Sequence, residues 1–315
     1  EKNQIEKIYK ENYSKFHGEF LREESLFLSE LHKRYVGDLE CANVVLYFAK
    51  DLHQNILRQK ENDLYYDISL NNFWHNHSIV KQKNYKIVEI SKSTGFPKET
   101  TRRKIDVLLK KKVLKKEKNQ LYWRPMQNDK DSFNILMNKT IHNLSIVLKK
   151  FSNYLNLNLE IDEIEKEIKK NYSFYWSHYL KFHLMYLRNW QVKFKDLELL
   201  QILLECFIPV NYYYEKNNIN FEDHFVVKKP KMKIESPLIS SSTISNITGI
   251  SRATCIRKLD KLKKMKILKK DVESKKYYID TIHASSSSSK IKSFIEEEIN
   301  IFCDFYLVLI KALIK

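Results

Sequence analysis

The spacing of apolar residues along the chain predicts a mainly helical protein. Apolar side chains recur every three or four positions in several segments, which is the pattern of a helix with one buried face. Near the start of the chain this period predicts three helices, at about residues 1–16, 19–35 and 39–57. The 315 residues include only four Gly and five Pro. Few tight turns and many long helices are therefore expected.

The remainder of the chain predicts further helices separated by irregular segments. Residues 58–84 show no clear period and predict a connection with one short helix, and the stretch through Pro230 and Pro237 is also expected to be irregular. A serine run at 285–289 is interpreted as a flexible joint before the last helix. The other helices are predicted at about residues 132–155, 162–190 and 195–208.

Two of these helices could suggest other functions. The helix near 162–190 is rich in aromatic side chains, which favour a packed core or interface over a platform for single strands. The longest apolar run, Leu197–Val210, is interrupted by Glu198, Gln201 and Glu205, so it predicts a core helix rather than a membrane span. We expect no membrane partner.

One segment of the chain occurs twice. Residues 86–117 and 240–271 align without a gap at an offset of 154, with 14 identities in 32 positions. A repeat of this length predicts the duplication of a whole structural unit. The sequence therefore predicts two domains, residues 1–160 and 161–315, with the boundary at about 156–165.

Each copy of the repeat predicts two short helices joined by a turn. Gly95 and its counterpart Gly249 fit a left-handed residue between the helices. Pro97 fits the first position of the second helix, and its counterpart Ser251 is a favoured N-cap. This second helix is expected at about 98–111 and 252–265. Its buried face is predicted from apolar and small residues at helical spacing: Thr101, Ile105 and Leu108, then Cys255, Leu259 and Leu262.

A short β-hairpin is predicted after the second helix of each copy. Residues 113–116 can pair with 121–124, and residues 267–270 with 277–280. Both hairpins are rich in Lys, so each would form a basic wing able to contact phosphate or the minor groove.

Positive charge is concentrated in the two copies. The chain has a formal charge of +17, of which residues 85–124 contribute +9 and residues 239–280 contribute +7. A bias of composition toward Lys, which the low Arg content also suggests, would spread the charge evenly. Two local concentrations favour a polyanionic partner instead.

The two copies resemble the winged helix-turn-helix of bacterial regulators. The resemblance lies in the segments ISKSTGFPKETTRRKIDVLLKKKVLKK and ISNITGISRATCIRKLDKLKKMKILKK. Their sequence pattern is similar to that of the MarR-like and Crp-like groups. The resemblance covers residues 85–124 and 239–280. It implies a mainly α fold with small β-hairpin wings, built as two tandem winged-helix domains related by internal duplication, each flanked by helices.

The resemblance also implies the residues that would contact double-stranded DNA. The second helices would act as recognition helices in the major groove. Their expected contact residues are Lys98, Glu99, Thr100, Arg102, Arg103 and Lys110 in the first copy, and Arg252, Thr254, Arg257 and Lys264 in the second. The expected wing contacts are Lys115, Lys116, Lys118, Lys269, Lys270 and Lys275.

Two departures from the family pattern concern glycine, and one of them is that the wings contain no Gly. The Gly usual between recognition helix and wing is replaced by Lys112 and Lys266, and a non-Gly residue at positive φ costs about 1 kcal/mol. The predicted base-reading positions also differ between the copies. Two unlike half-sites are therefore expected, with the two helices about one DNA turn, roughly 34 Å, apart.

No motif for catalysis or metal binding is apparent. The sequence contains no Gly-rich phosphate loop, GxSxG motif or paired-carboxylate signature, so no enzyme activity and no cofactor are expected. His75 and His77 are interpreted as packing or surface histidines, because no Cys or acidic ligand lies at metal spacing. The four dispersed Cys indicate free thiols in a reducing cytoplasm.

The sequence therefore predicts a cytoplasmic, sequence-specific DNA-binding protein that regulates transcription. Two alternatives remain open. A plasmid- or phage-type replication initiator would bind origin repeats, and the location of its sites would distinguish it. A winged-helix scaffold would bind proteins and would bind DNA weakly or without dependence on salt. The chain is expected to act as a pseudo-twofold monomer or as a homodimer.

Overall fold

The computed structural model describes residues 1–82, 85–118, 120–125, 127–218, 238–279 and 288–314. These residues form a mainly helical protein with two small antiparallel hairpins, which confirms the predicted class at that level. Residues 219–237, with Pro230 and Pro237, lie outside the described residues, and so does the predicted joint except for its last two serines. Across the described part of the chain, no helix is both long enough and apolar enough to cross a membrane.

Most helices before the first hairpin begin and end close to the predicted positions, but the helix that begins at Leu39 continues five residues beyond its predicted end, to Asn62. These helices are α1 Lys2–Glu11, α2 Tyr13–Arg34, α3 Leu39–Asn62, α4 Phe73–Ile79, α5 Ile87–Thr94 and α6 Lys98–Lys110. The predicted break between residues 16 and 19 is wrong, because the chain breaks at Asn12 and Gly18 lies inside α2. The short helix expected within 58–84 is α4.

The later helices differ more from the predicted bounds. They are α7 Lys130–Tyr154, α8 Ile161–Lys170, α9 Tyr172–Phe194, α10 Leu197–Lys216, α11 Ser241–Thr248, α12 Arg252–Lys264 and α13 Ser288–Leu313. A 3₁₀ turn, Gln127–Asp129, precedes α7. The single helix predicted at 162–190 is two helices that separate at Asn171, and α10 continues through Pro209.

Both predicted hairpins form in the predicted register. Strands β1 Leu114–Glu117 and β2 Gln120–Trp123 pair Leu114 with Trp123. Strands β3 Leu268–Lys270 and β4 Tyr277–Ile279 pair Leu268 with Ile279. In each hairpin the Leu and its cross-strand partner are buried. Residues that pair across two strands lie on the same face, while their neighbours along each strand point to the opposite face.

The chain packs into two compact units that combine distant segments. Unit 1 comprises residues 1–2, 40–193 and 301–315, and unit 2 comprises residues 3–39 and 194–300. The duplication predicted residues 1–160 and 161–315 as the two domains. The packing units cut the chain elsewhere, because each unit takes helices from both sides of residue 160.

The core of unit 1 is aromatic. The buried ring of Phe73 on α4 stacks on Phe133 of α7, with ring centroids 5.6 Å apart. Tyr172 of α9 packs edge-on against Phe73. Farther along α9, Phe182 stacks on Phe305 of α13. The aromatic helix predicted as core is therefore a core helix, as expected from its composition.

The core of unit 2 is centred on α2 and α10. A pair of hydrogen bonds joins Arg22 of α2 to the carboxylate of Glu215 on α10, at 2.9 and 3.1 Å. Deeper between the helices, the buried Gln201 donates to Ser29 Oγ at 3.0 Å. These polar contacts fix how α2 lies along α10, since apolar contacts alone are less directional.

Candidate nucleic-acid interface

Each unit contains one segment in which two short helices are followed by a hairpin. We call residues 87–123, in unit 1, the proximal segment and residues 239–279, in unit 2, the distal segment. Gly95 ends α5 at a φ of 78°, and Gly249 ends α11 at a φ of 74°. Both residues are in the predicted left-handed conformation, which Gly adopts without steric cost.

The identical residues before each glycine hold the turn in place. In the proximal segment, Ser91 Oγ donates to the Phe96 carbonyl at 2.7 Å, and Thr94 Oγ1 donates to the Ile90 carbonyl at 2.8 Å. The distal segment has the same two bonds at the same lengths: Ser245 to Ile250 and Thr248 to Ile244. These shared residues therefore set backbone geometry and are not candidates for binding.

The second helix of each segment begins with a different cap. Ser251 accepts a hydrogen bond from the Thr254 amide at 3.3 Å, which confirms it as the N-cap of α12. Pro97 is the N-cap of α6, which begins at Lys98, so it lies one residue before the first helical position that the sequence predicted for it. Thr254 is half-buried, and its hydroxyl accepts a hydrogen bond from Ser251 Oγ at 3.0 Å.

A lysine shared by both copies anchors each second helix to the protein. Lys104 Nζ lies 2.8 Å from a carboxylate oxygen of Glu40 on α3, and its side chain is 11% exposed. Lys258 Nζ lies 2.6 Å from Asp196 and 3.2 Å from Glu198 at the start of α10, with a side chain 12% exposed. Both lysines are withdrawn from solvent and paired, so they position the helix and do not face a ligand.

The apolar faces of α6 and α12 are buried as predicted. Leu108 and Leu262 have no exposed surface, and Ile105 and Leu259 are buried beside them. Lys104, which is buried, and Lys258, which is half-buried, belong to the same faces. Their spacing of three or four residues from the apolar positions was the signal that could have identified them as structural.

The opposite faces of α6 and α12 carry the predicted DNA-contacting residues, and these face solvent. Among them, Glu99 and Arg102 pair at 3.2 Å on the surface of α6. The exposed ones are Lys98, Glu99, Arg102, Arg103, Lys110, Arg252, Arg257 and Lys264, while Thr100 and Thr254 are half-buried. In the described part of the chain, six of these seven cations form no ion pair: Lys98, Arg103, Lys110, Arg252, Arg257 and Lys264.

Lysines occupy the left-handed positions on both sides of each first wing strand. Lys112 and Lys266, between helix and wing, have φ of 59° and 60°, as the departure from Gly predicted. Lys118 and Lys275 in the wing turns have φ of 44° and 60°. Chain geometry therefore requires an unfavourable backbone conformation at residues that also carry charge.

The predicted wing lysines are mostly exposed. Lys115, Lys116, Lys118, Lys270 and Lys275 are exposed, and Lys269 is half-buried. The Lys270 ammonium lies 5.1 Å from the centre of the Tyr277 ring, which restrains this side chain. The wings therefore present cations on both segments, with Lys270 held against its own hairpin.

The chain before each segment supports the second wing strand. In the distal segment, Ile239 and Tyr277 exchange two backbone hydrogen bonds, at 2.9 and 2.8 Å. Before the proximal segment, the side chain of Gln82 supports the strand in the same way. Its Nε2 donates to the Trp123 backbone carbonyl at 2.6 Å, and its Oε1 accepts from the Trp123 backbone N–H at 3.1 Å. Sequence periodicity does not reveal either contact.

The turn of each segment rests on a long helix of its own unit. A Cβ at Gly95 would lie 3.3 Å from side-chain atoms of Arg188 and Val192 on α9. Arg188 Nε also donates to the Lys92 carbonyl at 2.9 Å. A Cβ at Gly249 would lie 3.6 Å from His32 and 3.9 Å from Lys33 on α2.

Of the two histidines of α4, His75 is exposed and His77 is buried. His77 packs against the rings of Phe73 and Trp74. Burial, with a smaller contribution from Arg124, lowers the pKa of His77 to about 4, so it is neutral near pH 7. The four cysteines are free and buried. In the ranges that the structure describes, no group of three or more His, Cys, Asp or Glu side chains could hold a metal ion.

No family model, curated protein or solved structure matches this chain.

Proposed function

We propose that the protein binds double-stranded DNA and regulates transcription, with the proximal and distal segments as two winged helix-turn-helix motifs. In this proposal α6 and α12 are the recognition helices and the hairpins are the wings. The order of helices, the left-handed glycine in each turn and the hairpin register support the assignment.

The observation that carries the proposal is the two-faced character of α6 and α12. One face is held by apolar contacts and by a buried lysine ion pair, while the other presents cations such as Arg103 and Arg257 to solvent. A rigid helix with an exposed cationic side fits the major groove, where Arg and Lys contact base edges and phosphates.

A wider duplication supports the pairing of the two segments. Residues 5–14 and 164–173 are identical at seven of ten positions, and the triplets Asp38-Leu39-Glu40 and Asp196-Leu197-Glu198 are identical. By this correspondence α1, α2 and α3 match α8, α9 and α10. The duplicated unit then extends over nearly the whole chain and includes the helices that carry the segments.

Equivalent contacts in the two units agree with this correspondence. In unit 1, Ser173 of α9 lies 3.2 Å from His53 of α3, oxygen to ring nitrogen. In unit 2, the Ser14 carbonyl of α2 accepts from the side chain of Asn211 on α10 at 2.9 Å. Ser14 matches Ser173 and Asn211 matches His53, so the same two places on the helices meet in both units.

The correspondence implies that the two copies exchange their first helices. In the proposed duplication, α8 and α9 of the second copy pack in unit 1 with the proximal segment, and α1 and α2 of the first copy pack in unit 2 with the distal segment. One chain would then take the role that two subunits have in a symmetric regulator that binds two half-sites.

The experiment that tests the proposal measures binding of the full chain to fragmented genomic DNA across a salt series. We expect selective binding that weakens by about 1,000-fold or more between about 50 and 200 mM salt, as for a protein that neutralises on the order of six phosphates. The variant Arg103→Ala/Arg257→Ala is expected to lose most of this binding and to reduce the salt dependence by about two charges.

The matched control is Lys139→Ala/Lys181→Ala, which removes two exposed charges outside both segments. This control should bind like the wild type. The proposal fails if the fragments bind without selectivity or if both double variants bind equally well. Enrichment of promoter fragments supports regulation of transcription, whereas enrichment of repeats at an origin shows a replication role instead.

A further inference from the structure

The proposed recognition helices differ at one pair of neighbouring surface positions. On α6 these positions are Glu99 and Arg102, with side chains 82% and 60% exposed, which form an ion pair with each other. The corresponding residues on α12 are Ala253 and Ile256, which are also exposed. Residues three apart lie side by side on a helix, so a charged pair on one helix is replaced by an apolar pair on the other.

The core does not require the apolar pair on α12. Cys255, Leu259 and Leu262, on the other face of the helix, have no exposed surface. Ile256 retains 37% of its surface exposed, and its neighbours along the chain include the exposed cation Arg257. An apolar pair of side chains within a cationic helix face suits a partner that carries negative charge overall and presents an apolar group at the matching position.

Thymine provides such a point in DNA. Its C5-methyl group projects into the major groove and is the only base methyl there, while the other base edges present hydrogen-bond donors and acceptors. Small and apolar side chains contact this methyl, whereas Arg pairs with guanine and Glu accepts from the cytosine amino group.

We infer that the two helices read half-sites of different chemistry, in which Ala253 and Ile256 of α12 contact thymine methyl groups and Glu99 and Arg102 of α6 contact a G·C-containing half-site. The inference rests on the proposed function. The flanking arginines Arg252 and Arg257 hold α12 against the phosphates, and the apolar pair selects the bases.

The first test replaces thymine by deoxyuridine, which removes only the methyl group. The full chain selects duplexes from a random pool, and the selected duplexes are resynthesised with deoxyuridine in one half-site at a time. We expect about 4-fold weaker binding for each contacted methyl, as for the loss of one buried carbon. The effect should be confined to one half-site.

The second test exchanges the pairs between the helices. The variant Ala253→Glu/Ile256→Arg gives α12 the surface of α6, and Glu99→Ala/Arg102→Ile gives α6 the surface of α12. The first variant should select two half-sites of the α6 type and lose its sensitivity to deoxyuridine. The second variant should select two thymine-containing half-sites and become sensitive in both. All four positions are exposed, and unfolding midpoints equal to that of the wild type verify the fold.

The outcomes separate this inference from the proposed function. Absence of selective, salt-dependent binding overturns both. Selective binding that deoxyuridine weakens in neither half-site overturns the inference alone. The inference alone is also overturned if Ala253→Glu/Ile256→Arg selects the same DNA sequence as the wild type, because residues other than Ala253 and Ile256 would then contact the bases.

Discussion

Individual lysines in this chain occupy positions where glycine would be more stable. Lys112 and Lys266 follow the proposed recognition helices with φ near 60°. The left-handed region brings Cβ close to the carbonyl oxygen, which glycine avoids. Within the proposed function a cation at the entry to the wing has a use that glycine lacks, because it adds charge beside the phosphates. This would be a stability cost retained for binding.

The first prediction follows from this conformation. Lys112→Gly and Lys266→Gly should each raise the free energy of unfolding by about 0.5–1 kcal/mol, because relief of the left-handed strain exceeds the added entropy of the unfolded chain. Urea unfolding monitored by circular dichroism measures the change.

The matched control is Lys111→Gly, which removes the same charge from the neighbouring position. Lys111 has a φ of −87°, so glycine relieves nothing there and should lower stability. If all three variants were equally destabilised, backbone strain at Lys112 and Lys266 would not be the cause.

At the scale of elements, packing overrides intrinsic helix preference in α2. Gly18 lies inside this helix, where glycine costs about 1 kcal/mol relative to alanine. A Cβ at this position would collide with the side-chain amide of Asn211 and lie 2.9 Å from the Glu215 carboxylate. The absence of a side chain lets α10 approach α2 closely and lets Glu215 pair with Arg22.

The second prediction is that Gly18→Ala destabilises the protein, against the trend of helix propensity. The added methyl must displace Asn211 or Glu215, and overpacking of this kind costs about 1–3 kcal/mol. Thermal unfolding of Gly18→Ala beside the wild type checks the sign. A higher melting temperature would mean that propensity dominates and that the two helices separate easily.

The contact of Lys258 with the start of α10 gives the third prediction. Lys258 and Lys261 both pair with Asp196, but only the Lys258 side chain is nearly buried. Lys258→Ala should cost about 2 kcal/mol or more, because it leaves Glu198 without a cation and Asp196 with only the half-exposed Lys261. Lys261→Ala should cost less than about 1 kcal/mol, since its pair is half-exposed. Equal losses in urea unfolding would contradict this ranking.

At the scale of the whole molecule, the two packing units and the two sequence copies divide the chain differently. Residue 160 separates the copies, yet unit 1 and unit 2 both require helices from before and after it. Neither half of the chain contains a complete unit. In the duplication that we propose, helices are exchanged within one chain, whereas domain swapping exchanges them between subunits.

The final prediction concerns the two halves of the chain. Fragments 1–158 and 159–315, produced separately, should lack cooperative unfolding, because each lacks helices on which its segment rests. Produced together, they should purify as a stoichiometric complex with the circular dichroism spectrum of the intact chain. A folded, monomeric fragment with its own cooperative transition would show that the copies are independent domains.

Much of the local structure could be predicted from the sequence, because local forces determine it. The left-handed glycines, the bounds of α6 and α12 and the hairpin register follow from periodicity and turn chemistry over a few residues. The failures have local causes as well. The break predicted between residues 16 and 19 is wrong because Gly18 packs against Asn211 of α10, nearly 200 positions away, and the sequence shows no break at Asn171 because apolar residues continue on both sides of it.

The roles of the shared residues depended on the tertiary structure. The sequence by itself determined a helical chain with two basic, hairpin-ending repeats, since periodicity, turns and charge are properties of neighbouring residues. The structure decided that Lys104 and Lys258 are buried anchors rather than ligand-facing cations, because only the fold brings Glu40 and Asp196 beside them. It also decided which helices support each segment, because such packing depends on contacts between residues far apart in the chain.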